Sequence, residues 1–401
     1  MWQLKKAYYR TFQFVMKFAL SLFDWSEPEL LEGPGAVKRL PALIKSKGIS
    51  KVLVVTDKGL TGLHLLDGMY EKLDEEGVAY VVYDGTQPNP TIANIEEARQ
   101  LYLDNGCQAV IAFGGGSPMD CAKAAAARVT NPKTSVRKMR GLLKVVHKPA
   151  ILFAVPTTAG TGSEATVAAV VSDPETHEKN AINDPKLRPK YAVLDPELTI
   201  GLPPHITSTT GMDALTHAVE AYIGRSNVRS TELYAEKAVK IIFKNLEKAY
   251  VNGKDIEARD QMLKASFYAG MAFTRAYVGY VHAIGHNLGG MYRIPHGLAM
   301  AVILPYVLEY YGAKAYFRLA RLAEISGVKT VGSDEEKAKA FIEEIKEMNR
   351  RMNIPDGFTE IKEEDLPIIV KRALKEANPL YPVPRIMNEA DCEAVIRRLM
   401  R

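Results

Sequence analysis

Two pairs of side chains in the second half of the chain have the spacing that places metal-binding groups on one face of a helix. Asp213 and His217 are four residues apart, and so are His282 and His286; residues at this spacing share a helical face. A fifth candidate, His296, stands between a proline and a glycine. A carboxylate and several imidazoles suit a borderline divalent cation such as Fe²⁺ or Zn²⁺. The pattern predicts a metal centre with five candidates for four positions, and the spacing does not say which one is left for chemistry.

A glycine turn in the first half of the chain has the pattern of an anion-binding helix start. The stretch AVIAFGGGSPMD (109–120) begins as a strand, continues with three glycines and ends as a helix. Glycines let the backbone approach a bulky anion, and Ser117 and Pro118 suit the N-cap and first position of a helix. The free amides of such a start can bind a pyrophosphate. The turn matches neither GxGxxG nor GxxxxGK[ST], so a purely structural turn is the alternative.

Small or polar residues also follow neighbouring predicted strands. The loop PTTAGTGSE (156–164) comes at the end of one strand, and two such loops can close on a single ligand. Asp57 ends an earlier strand, where an acid can accept hydrogen bonds from ribose hydroxyls and repel a 2′-phosphate, which favours NAD over NADP. The structural alternatives are a helix N-cap for Asp57 and a plain turn role for Asn89.

The pattern of residues differs between the two halves of the chain. Up to about residue 195, short β-branched runs alternate with helical stretches, which predicts a parallel sheet with helices on its faces. After the Pro-Pro pair at 203–204 the spacing is helical. We therefore predict a dinucleotide-binding α/β domain at 26–203 and an all-α metal-binding domain at 204–401. The predicted strands include 51–57, 78–84, 109–116 and 150–158, and a helix is predicted at 91–105.

The first 25 residues form a separate segment that is rich in aromatic and aliphatic side chains. Its cations are Lys5, Lys6, Arg10 and Lys17, and it contains one acid. Its uncharged stretches are too short to span a bilayer, and it lacks the cleavage pattern of a signal peptide. We predict an amphipathic helix within 1–25. It either lies on a membrane surface or a partner, or packs on its own protein.

Composition excludes some classes of protein. The chain has 401 residues, of which 47% are hydrophobic, enough for a large core and more than one domain. The net charge of +5 is spread along the chain, so we do not expect a nucleic-acid-binding protein. The three cysteines show no CxxC pair and no even framework. They predict free thiols in a reducing compartment, the cytoplasm.

Four motifs together resemble those of the iron-containing (group III) alcohol dehydrogenases. They are GGGSPMD, PTTAGTGSE, GMDALTHAVEAY and GYVHAIGHNLGGMYRIPHG, in that order, and the likeness runs from about residue 30 to the C-terminus. The family includes lactaldehyde reductases, butanol dehydrogenases and 1,3-propanediol dehydrogenases. The resemblance implies a dehydroquinate synthase-like fold and hydride transfer between a nicotinamide cofactor and a small alcohol or aldehyde. It also implies a homodimer or larger assembly, and it does not cover residues 1–25.

The resemblance assigns roles to individual residues. It implies that Fe²⁺, or Zn²⁺ in its place, is bound by Asp213, His217, His282 and His296. His286 is then left as the catalytic residue that faces the nicotinamide and the substrate. The implied contacts of the cofactor, which Asp57 marks as NAD, are Asp57, Asn89, Gly114, Gly115, Gly116, Ser117, Asp120, Thr157, Thr158 and Lys179.

Three other functions are alternatives to a metal-dependent alcohol dehydrogenase. A zinc-dependent glycerol dehydrogenase would share the architecture, but the pairing of Asp213 with His217 resembles the iron branch more. A dehydroquinate synthase-like lyase would need a cluster of basic residues for an acidic phosphorylated substrate, and none accompanies the histidines. A non-catalytic sensor of dinucleotide and metal would have no physical need for the complete set of ligands.

Overall fold

The computed structural model describes residues 1–21, 23, 25–175 and 178–401, without the side chains of residues 178 and 179. The chain forms two compact units. One comprises residues 24–201 and the other comprises residues 1–23 together with 202–401. The first unit is built from strands and helices, and the second is built from helices.

The elements of the α/β unit follow α1 (Trp2–Leu20), which belongs to the helical unit. The strands are β1 (Glu29–Glu32), β2 (Lys51–Val55), β3 (Ala79–Tyr83), β4 (Ala109–Gly114), β5 (Gly141–Leu142), β6 (Ile151–Pro156), β7 (Ala168–Asp173), β8 (Glu178–Asn183) and β9 (Tyr191–Leu194). The helices are α2 (Ala36–Ser46), α3 (Lys58–Gly62), α4 (Asp67–Glu76), α5 (Ile92–Asp104), α6 (Gly116–Thr130) and α7 (Val136–Met139). Short 3₁₀ turns lie at Ser163–Ala165, Pro185–Leu187 and Pro196–Thr199.

The described strands form a six-stranded sheet and a smaller sheet. The larger sheet has the order β1-β9-β6-β4-β2-β3 and every pairing in it is parallel. Its strand β4 is buried along its whole length. Parallel sheets are covered on both faces, so their strands are apolar throughout and do not alternate with polar residues. The smaller sheet has the order β5-β8-β7.

Apolar side chains pack on both faces of the larger sheet. Leu53 and Val55 belong to one core cluster, and Val52 and Val54 belong to another. They alternate because successive side chains of a strand point to opposite faces. Each buried side chain of this size contributes about 1.5–3 kcal/mol of transfer free energy. The two cores therefore hold the strand ends, where the predicted binding loops begin, in fixed positions.

The helical unit consists of α1 and the helices that follow residue 203. These are α8 (Pro204–Ile223), α9 (Arg229–Val251), α10 (Ile256–Ala276), α11 (Tyr280–Tyr292), α12 (His296–Tyr311), α13 (Tyr316–Ser326), α14 (Asp334–Arg351), α15 (Leu366–Ala377) and α16 (Glu389–Arg397). Short 3₁₀ turns lie at Gly312–Lys314 and Glu363–Asp365. Helix α8 packs against α9, α10 and α12, and α11 packs against α12 and α15. Pro204 occupies the first position of α8, where its missing N–H costs nothing.

The predicted parallel sheet and the predicted helical second half are confirmed, and so are the four predicted strands and the helix predicted at 91–105. β2, β3, β4 and β6 lie inside the four predicted strand ranges, and α5 lies inside the predicted helix, with Thr91 as its N-cap. The predicted start of the next helix was wrong. α6 begins at Gly116 after an N-cap at Gly115, not at Pro118. The hydroxyl of Ser117, the expected cap, instead accepts a hydrogen bond from the N–H of Asn89.

The amphipathic helix predicted near the N-terminus is present as α1. It packs on its own chain, because Arg10 and Gln13 donate hydrogen bonds to backbone carbonyls of residues 379–384. No helix within the described ranges is long and apolar enough to cross a membrane.

Candidate active site

Four side chains of the helical unit converge on one point. Asp213 and His217 come from α8, His282 comes from α11 and His296 comes from α12, and one ligand atom of each lies within 4.8 Å of the others. The Oδ1 atom of Asp213 is 3.8 Å from Nδ1 of His217, 3.9 Å from Nε2 of His282 and 3.4 Å from Nε2 of His296. Ligands that share one cation at about 2.1 Å are separated by about 3–4 Å. The spacing therefore fits a single metal ion.

The polar atoms at this point lack hydrogen-bond partners. Oδ1 of Asp213, Nδ1 of His217 and Nε2 of His282 are buried, and none has a partner within the described residues. A buried polar atom without a partner costs about 1–3 kcal/mol. The lone pairs of three such atoms at close range would repel one another and stay without a partner unless a cation lies between them. The residues present therefore fit a divalent metal.

The protonation and packing of the histidines also suit a metal. Burial lowers the pKa of His217 to about 3 and that of His282 well below its usual value. Both imidazoles are therefore neutral near pH 7, which is the form that binds a metal. The ring of His217 stacks on Phe273 at 4.1 Å and on His282 at 4.5 Å. This stacking fixes the ring planes before any ion is bound.

A glycine allows the third helix to reach the other two. Gly297 is the second residue of α12, and a Cβ atom built on it would lie 2.6 Å from the carbonyl oxygen of Thr209 in α8. Only glycine permits this approach, which carries the neighbouring His296 onto α8. Pro295, the N-cap of α12, sets the helix start at the histidine. Each residue of the Pro-His-Gly sequence thus has a role: Pro295 precedes the helix, His296 reaches the cluster, and Gly297 allows the close contact with α8.

His286 lies beside this cluster and is oriented by a different group. It follows His282 by one turn of α11, and its ring centroid is 5.2 Å from that of His296. Its Nδ1 atom is 2.7 Å from Oε1 of Glu376 in α15, which also accepts a hydrogen bond from the hydroxyl of Tyr381. Since a carboxylate accepts, Nδ1 of His286 carries the proton and Nε2 is the acceptor. The ring is partly exposed, unlike those of His217 and His282.

In the α/β unit, the loops at the ends of β3, β4 and β6 are joined by hydrogen bonds. The N–H of Thr157 donates to the carbonyl of Gly114 at 3.1 Å, and the N–H of Asn89 donates to the hydroxyl of Ser117 at 3.2 Å. Thr158 lies against Gly115, where an added Cβ would be 3.4 Å from its hydroxyl oxygen. The structure thus brings together the two small-residue loops and the turn that contains Asn89.

The remaining predicted cofactor residues have structural partners of their own. Asp57 is the N-cap of α3 and accepts a hydrogen bond from the N–H of Leu60. The carboxylate of Asp120 accepts hydrogen bonds from the hydroxyl of Ser163 and the N–H of Val170. Gly116 begins α6. The side chain of Lys179 lies outside the described part of the structure.

Comparison with known proteins decides the family. The model named iron-containing alcohol dehydrogenase matches residues 28–196, and that named Fe-containing alcohol dehydrogenase family, C-terminal, matches residues 207–400. The chain belongs to the iron-containing alcohol dehydrogenase family. It is therefore an oxidoreductase of alcohols and aldehydes.

Individual relatives extend over most of this iron-containing alcohol dehydrogenase. It is 36% identical to the 1,3-propanediol dehydrogenase of Citrobacter freundii, over 94% of this chain and 98% of that protein. It is 34% identical to the NAD-dependent methanol dehydrogenase of Bacillus methanolicus, over 93% and 98% of the two chains. A solved structure of an alcohol dehydrogenase from Oenococcus oeni matches with a TM-score of 0.91 and 36% identity, covering 94% and 100% of the chains.

A buried carboxylate behind the four candidate metal ligands of this dehydrogenase was not predicted from the sequence. Glu220 lies two turns after Asp213 on α8, and it accepts hydrogen bonds from Nδ1 of His282 at 2.6 Å and from the N–H groups of Gly279 and Val281 at 2.8 Å each. Burial raises its pKa to about 7, against the stabilising effect of the N–H groups. Such a partner fixes the tautomer of a ligand histidine. Its seven-residue spacing from Asp213 was the signal available in the sequence.

A buried lysine beneath the glycine turn was also missed. Nζ of Lys123 donates to the hydroxyls of Ser163 and Thr166 at 2.9 and 2.8 Å and to the carbonyl of Ala168 at 3.0 Å. Burial lowers its pKa to about 8. This lysine ties α6 to the loop that follows β6. A single cation in the alanine run CAKAAAA was the available signal.

The variant Gly114→Ala is expected to destabilise the α/β unit and weaken NADH binding. Gly114 has φ +146, and a Cβ atom would lie 2.6 Å from Cγ of Pro118. Overpacking and strain of this kind cost about 2–4 kcal/mol together. Urea denaturation and NADH fluorescence titration measure the two effects. The control is Gly62→Ala, whose Cβ meets nothing within 4 Å; if both variants behave alike, the tight turn is not required.

Proposed function

We propose that this enzyme interconverts short-chain alcohols and aldehydes with NAD(H) and one divalent cation, Fe²⁺ or Zn²⁺, bound by Asp213, His217, His282 and His296. The observation that carries the proposal is that three buried polar atoms, none with a hydrogen-bond partner in the described part of the chain, meet at one point. The short-chain substrate class is supported by the similarity to enzymes named for 1,3-propanediol and methanol.

The side chains around the metal site have separable tasks. When bound, the cation supplies Lewis acidity to the substrate oxygen and the nicotinamide supplies or accepts the hydride. Asp213 contributes negative charge to the ligand set, while the three imidazoles contribute lone pairs. Phe273 and the buried ends of α8 and α11 keep water from Asp213, His217 and His282, whereas His296 is exposed and lies on the open side of the site. His286 receives a proton at Nε2 from the alcohol, or returns it to the aldehyde oxygen, and Glu376 stabilises the imidazolium that forms.

The loops after β3, β4 and β6 are proposed to bind the dinucleotide. The N-terminus of α6 presents free amide groups beside glycines that admit a pyrophosphate. The proposed contacts include Asn89, Gly114, Gly115, Gly116, Ser117, Thr157, Thr158 and Lys179. Asp120 acts by holding the loop after β6, given the two bonds it accepts. Asp57 favours NAD, because the carboxylate that caps α3 also repels a 2′-phosphate.

Two further parts of the proposal concern the setting of the enzyme. We place it in the cytoplasm, because Cys107, Cys121 and Cys392 are all buried free thiols. We also propose a homodimer or larger assembly, for which the support is the family resemblance.

The proposal is tested with anaerobically purified protein. Metal content is measured first, and activity is then followed at the NADH absorbance band with NADH or NADPH and a series of aldehydes of increasing length. We expect about one metal per chain, a preference for NADH, and turnover that falls when a chelator removes the metal. Binding of both metal and NADH without turnover of any aldehyde would favour the non-catalytic sensor, and selective turnover of polyols with zinc would favour the glycerol dehydrogenase.

The variant His286→Ala is expected to lower kcat/KM by about 100-fold, the usual contribution of a proton-transferring side chain. The metal content should stay unchanged, because His286 lies outside the four-residue cluster. Steady-state rates across pH 6–10 and metal analysis measure both properties. Glu376→Gln, which retains the imidazole and removes its charged partner, should cost roughly 10-fold. Wild-type kcat/KM for His286→Ala at every pH would rule out the proton-transfer role.

A further inference from the structure

The side of α1 that faces the protein carries hydrogen-bonding side chains among partly buried apolar ones. Gln13 is buried and donates to the carbonyls of Pro379 and Tyr381 at 3.0 and 2.8 Å. Arg10 donates to the carbonyls of Val383 and Pro384 at 2.8 and 3.1 Å. The irregular segment 379–384 thus has several carbonyls satisfied by α1. These hydrogen bonds, together with the partly buried side chains of Tyr9, Phe12 and Met16, hold the helix to its own unit.

A second set of large apolar side chains on α1 faces outward. Five large side chains on this side are 55–76% exposed: Leu4, Tyr8, Phe14, Val15 and Phe18. Tyr8, Val15 and Phe18 follow Leu4 by four, eleven and fourteen residues, and Phe14 is the neighbour of Val15. We call these five residues the α1 stripe. Spacing of this kind places side chains on one helical face. Contiguous exposed apolar patches mark interaction surfaces, because leaving them in water is unfavourable.

A basic cavity lies at the end of the same helix. It has a volume of about 470 Å³, and its lining includes Lys17 of α1 with Arg225, Lys314 and Arg318 but no acidic residue. We call these four residues the basic pocket. Nζ of Lys17 contacts the carbonyl of Arg225 at 3.4 Å, and Arg318 is paired with Glu232 at 2.6 Å. Within the described ranges, Arg225 and Lys314 form no ion pair.

Positive charges lie close together around the basic pocket. Burial and the nearby Arg225 lower the pKa of Arg10 to about 10. Along α1 itself there is no acid to offset its lysines and arginine. A cavity lined by one sign of charge focuses potential and attracts an anion. A bound phosphate group would offset the repulsion between these positive charges.

The stripe and the pocket are adjacent along the chain. Lys17 lines the pocket and Phe18 belongs to the stripe, while exposed Phe317 stands between Lys314 and Arg318 of the pocket. We propose that the α1 stripe and the basic pocket together dock this enzyme on the surface of an anionic phospholipid membrane. The stripe inserts at the boundary between headgroups and acyl chains, and the pocket holds a lipid phosphate.

An anionic bilayer is the occupant that matches both halves of this surface. Interfacial helices combine an apolar face with Lys and Arg on the polar face, and they bind through buried apolar area and attraction to anionic headgroups. A free phosphate would fill the pocket but leave the stripe in water. A second copy of the chain would cover the stripe but bring a second set of cations against the first.

The test is flotation of the full-length enzyme with vesicles. Phosphatidylcholine vesicles are compared with vesicles that contain phosphatidylglycerol, at low and high salt. We expect binding to the anionic vesicles only, and a large loss of it at high salt. Phe14→Gln/Val15→Gln/Phe18→Gln, which keeps good helix formers, should reduce the partition coefficient at least about 10-fold. Arg225→Gln/Lys314→Gln should reduce it about fivefold per cation removed.

Matched controls separate docking from general effects. Val251→Gln/Val331→Gln removes exposed apolar side chains elsewhere, and Lys133→Gln/Lys148→Gln removes two exposed cations elsewhere. Both controls should bind vesicles like the wild type, and all variants should keep NADH-dependent activity. Three results would overturn the proposal: no vesicle binding by the wild type, equal binding by the stripe variant, or loss of oligomerisation in the stripe variant with unchanged vesicle binding. Full competition by inorganic phosphate in the absence of any stripe effect would identify a soluble anion site instead.

Discussion

Asp213→Asn is expected to abolish metal binding and to lower kcat/KM by roughly 1,000-fold. The Oδ1 atom of Asp213 is the atom that all three proposed ligand histidines approach, at 3.4–3.9 Å. Asparagine has nearly the same shape but removes the negative charge from the ligand set. Lewis-acid stabilisation of a developing oxyanion is worth several kcal/mol, and about 4 kcal/mol corresponds to three orders of magnitude in rate. Metal analysis of anaerobically purified protein and NADH-linked kinetics measure the two effects.

The matched control for this variant is His205→Asn, which changes an exposed side chain near the start of the same helix. It should retain one metal per chain and wild-type kinetics. A further readout is thermal: adding metal should raise the Tm of the wild type and the control but not that of Asp213→Asn. Full metal occupancy and wild-type rates in Asp213→Asn would contradict the proposed site.

Glu220→Gln is expected to weaken metal binding by 10–100-fold, the usual effect of removing the partner of a ligand histidine. The buried carboxylate accepts three hydrogen bonds, from His282 and from the first N–H groups of the α11 region. A glutamine can accept on one atom only, and its NH₂ group would face N–H donors. We therefore expect the unfolding free energy to fall by about 2–4 kcal/mol as well. Metal titration by calorimetry and urea denaturation of the metal-free protein measure these effects separately.

Glu236→Gln is the control for the second prediction. Glu236 accepts a hydrogen bond from the hydroxyl of Tyr222, and it is half-buried. Its replacement should change the unfolding free energy by less than about 1 kcal/mol and leave metal affinity unaltered. If Glu220→Gln binds metal with wild-type affinity, Glu220 has no part in positioning His282.

The sequence contained enough periodicity to predict the sheet strands near the binding loops and the helical second half. β2, β3, β4 and β6 are short runs of β-branched and aliphatic residues, and burial on both faces requires such runs. β1 and β9 were not predicted, because four-residue strands at and near a sheet edge leave little periodic signal. The paired strands β7 and β8 were also not predicted, because polar residues make up most of β8 and end β7.

The four converging side chains could be found as candidates because three of them lie in motifs with local spacing, and the fourth in a Pro-His-Gly turn. The spacing left His286 as a fifth candidate, and only the family resemblance set it apart. The supporting groups were harder to find. Glu376 is 90 residues from His286 in the chain, so only tertiary structure brings them together. The capping role of Ser117 was predicted wrongly because local propensity does not register a hydrogen bond from a loop 28 residues away. Contacts between distant segments are decided by packing, which no local pattern encodes.

Because the four proposed ligands all belong to α8, α11 and α12, the metal site is complete within one of the two compact units. Loading the ion therefore requires no dinucleotide, and the apo and metal-loaded forms can exchange while the cofactor loops are empty. A bound ion would also cross-link three helices whose ligands span 84 residues of chain, from 213 to 296, much as a disulfide would. Scarcity of iron would thus show itself first as proteolytic sensitivity of the helical unit, before any change in the α/β unit.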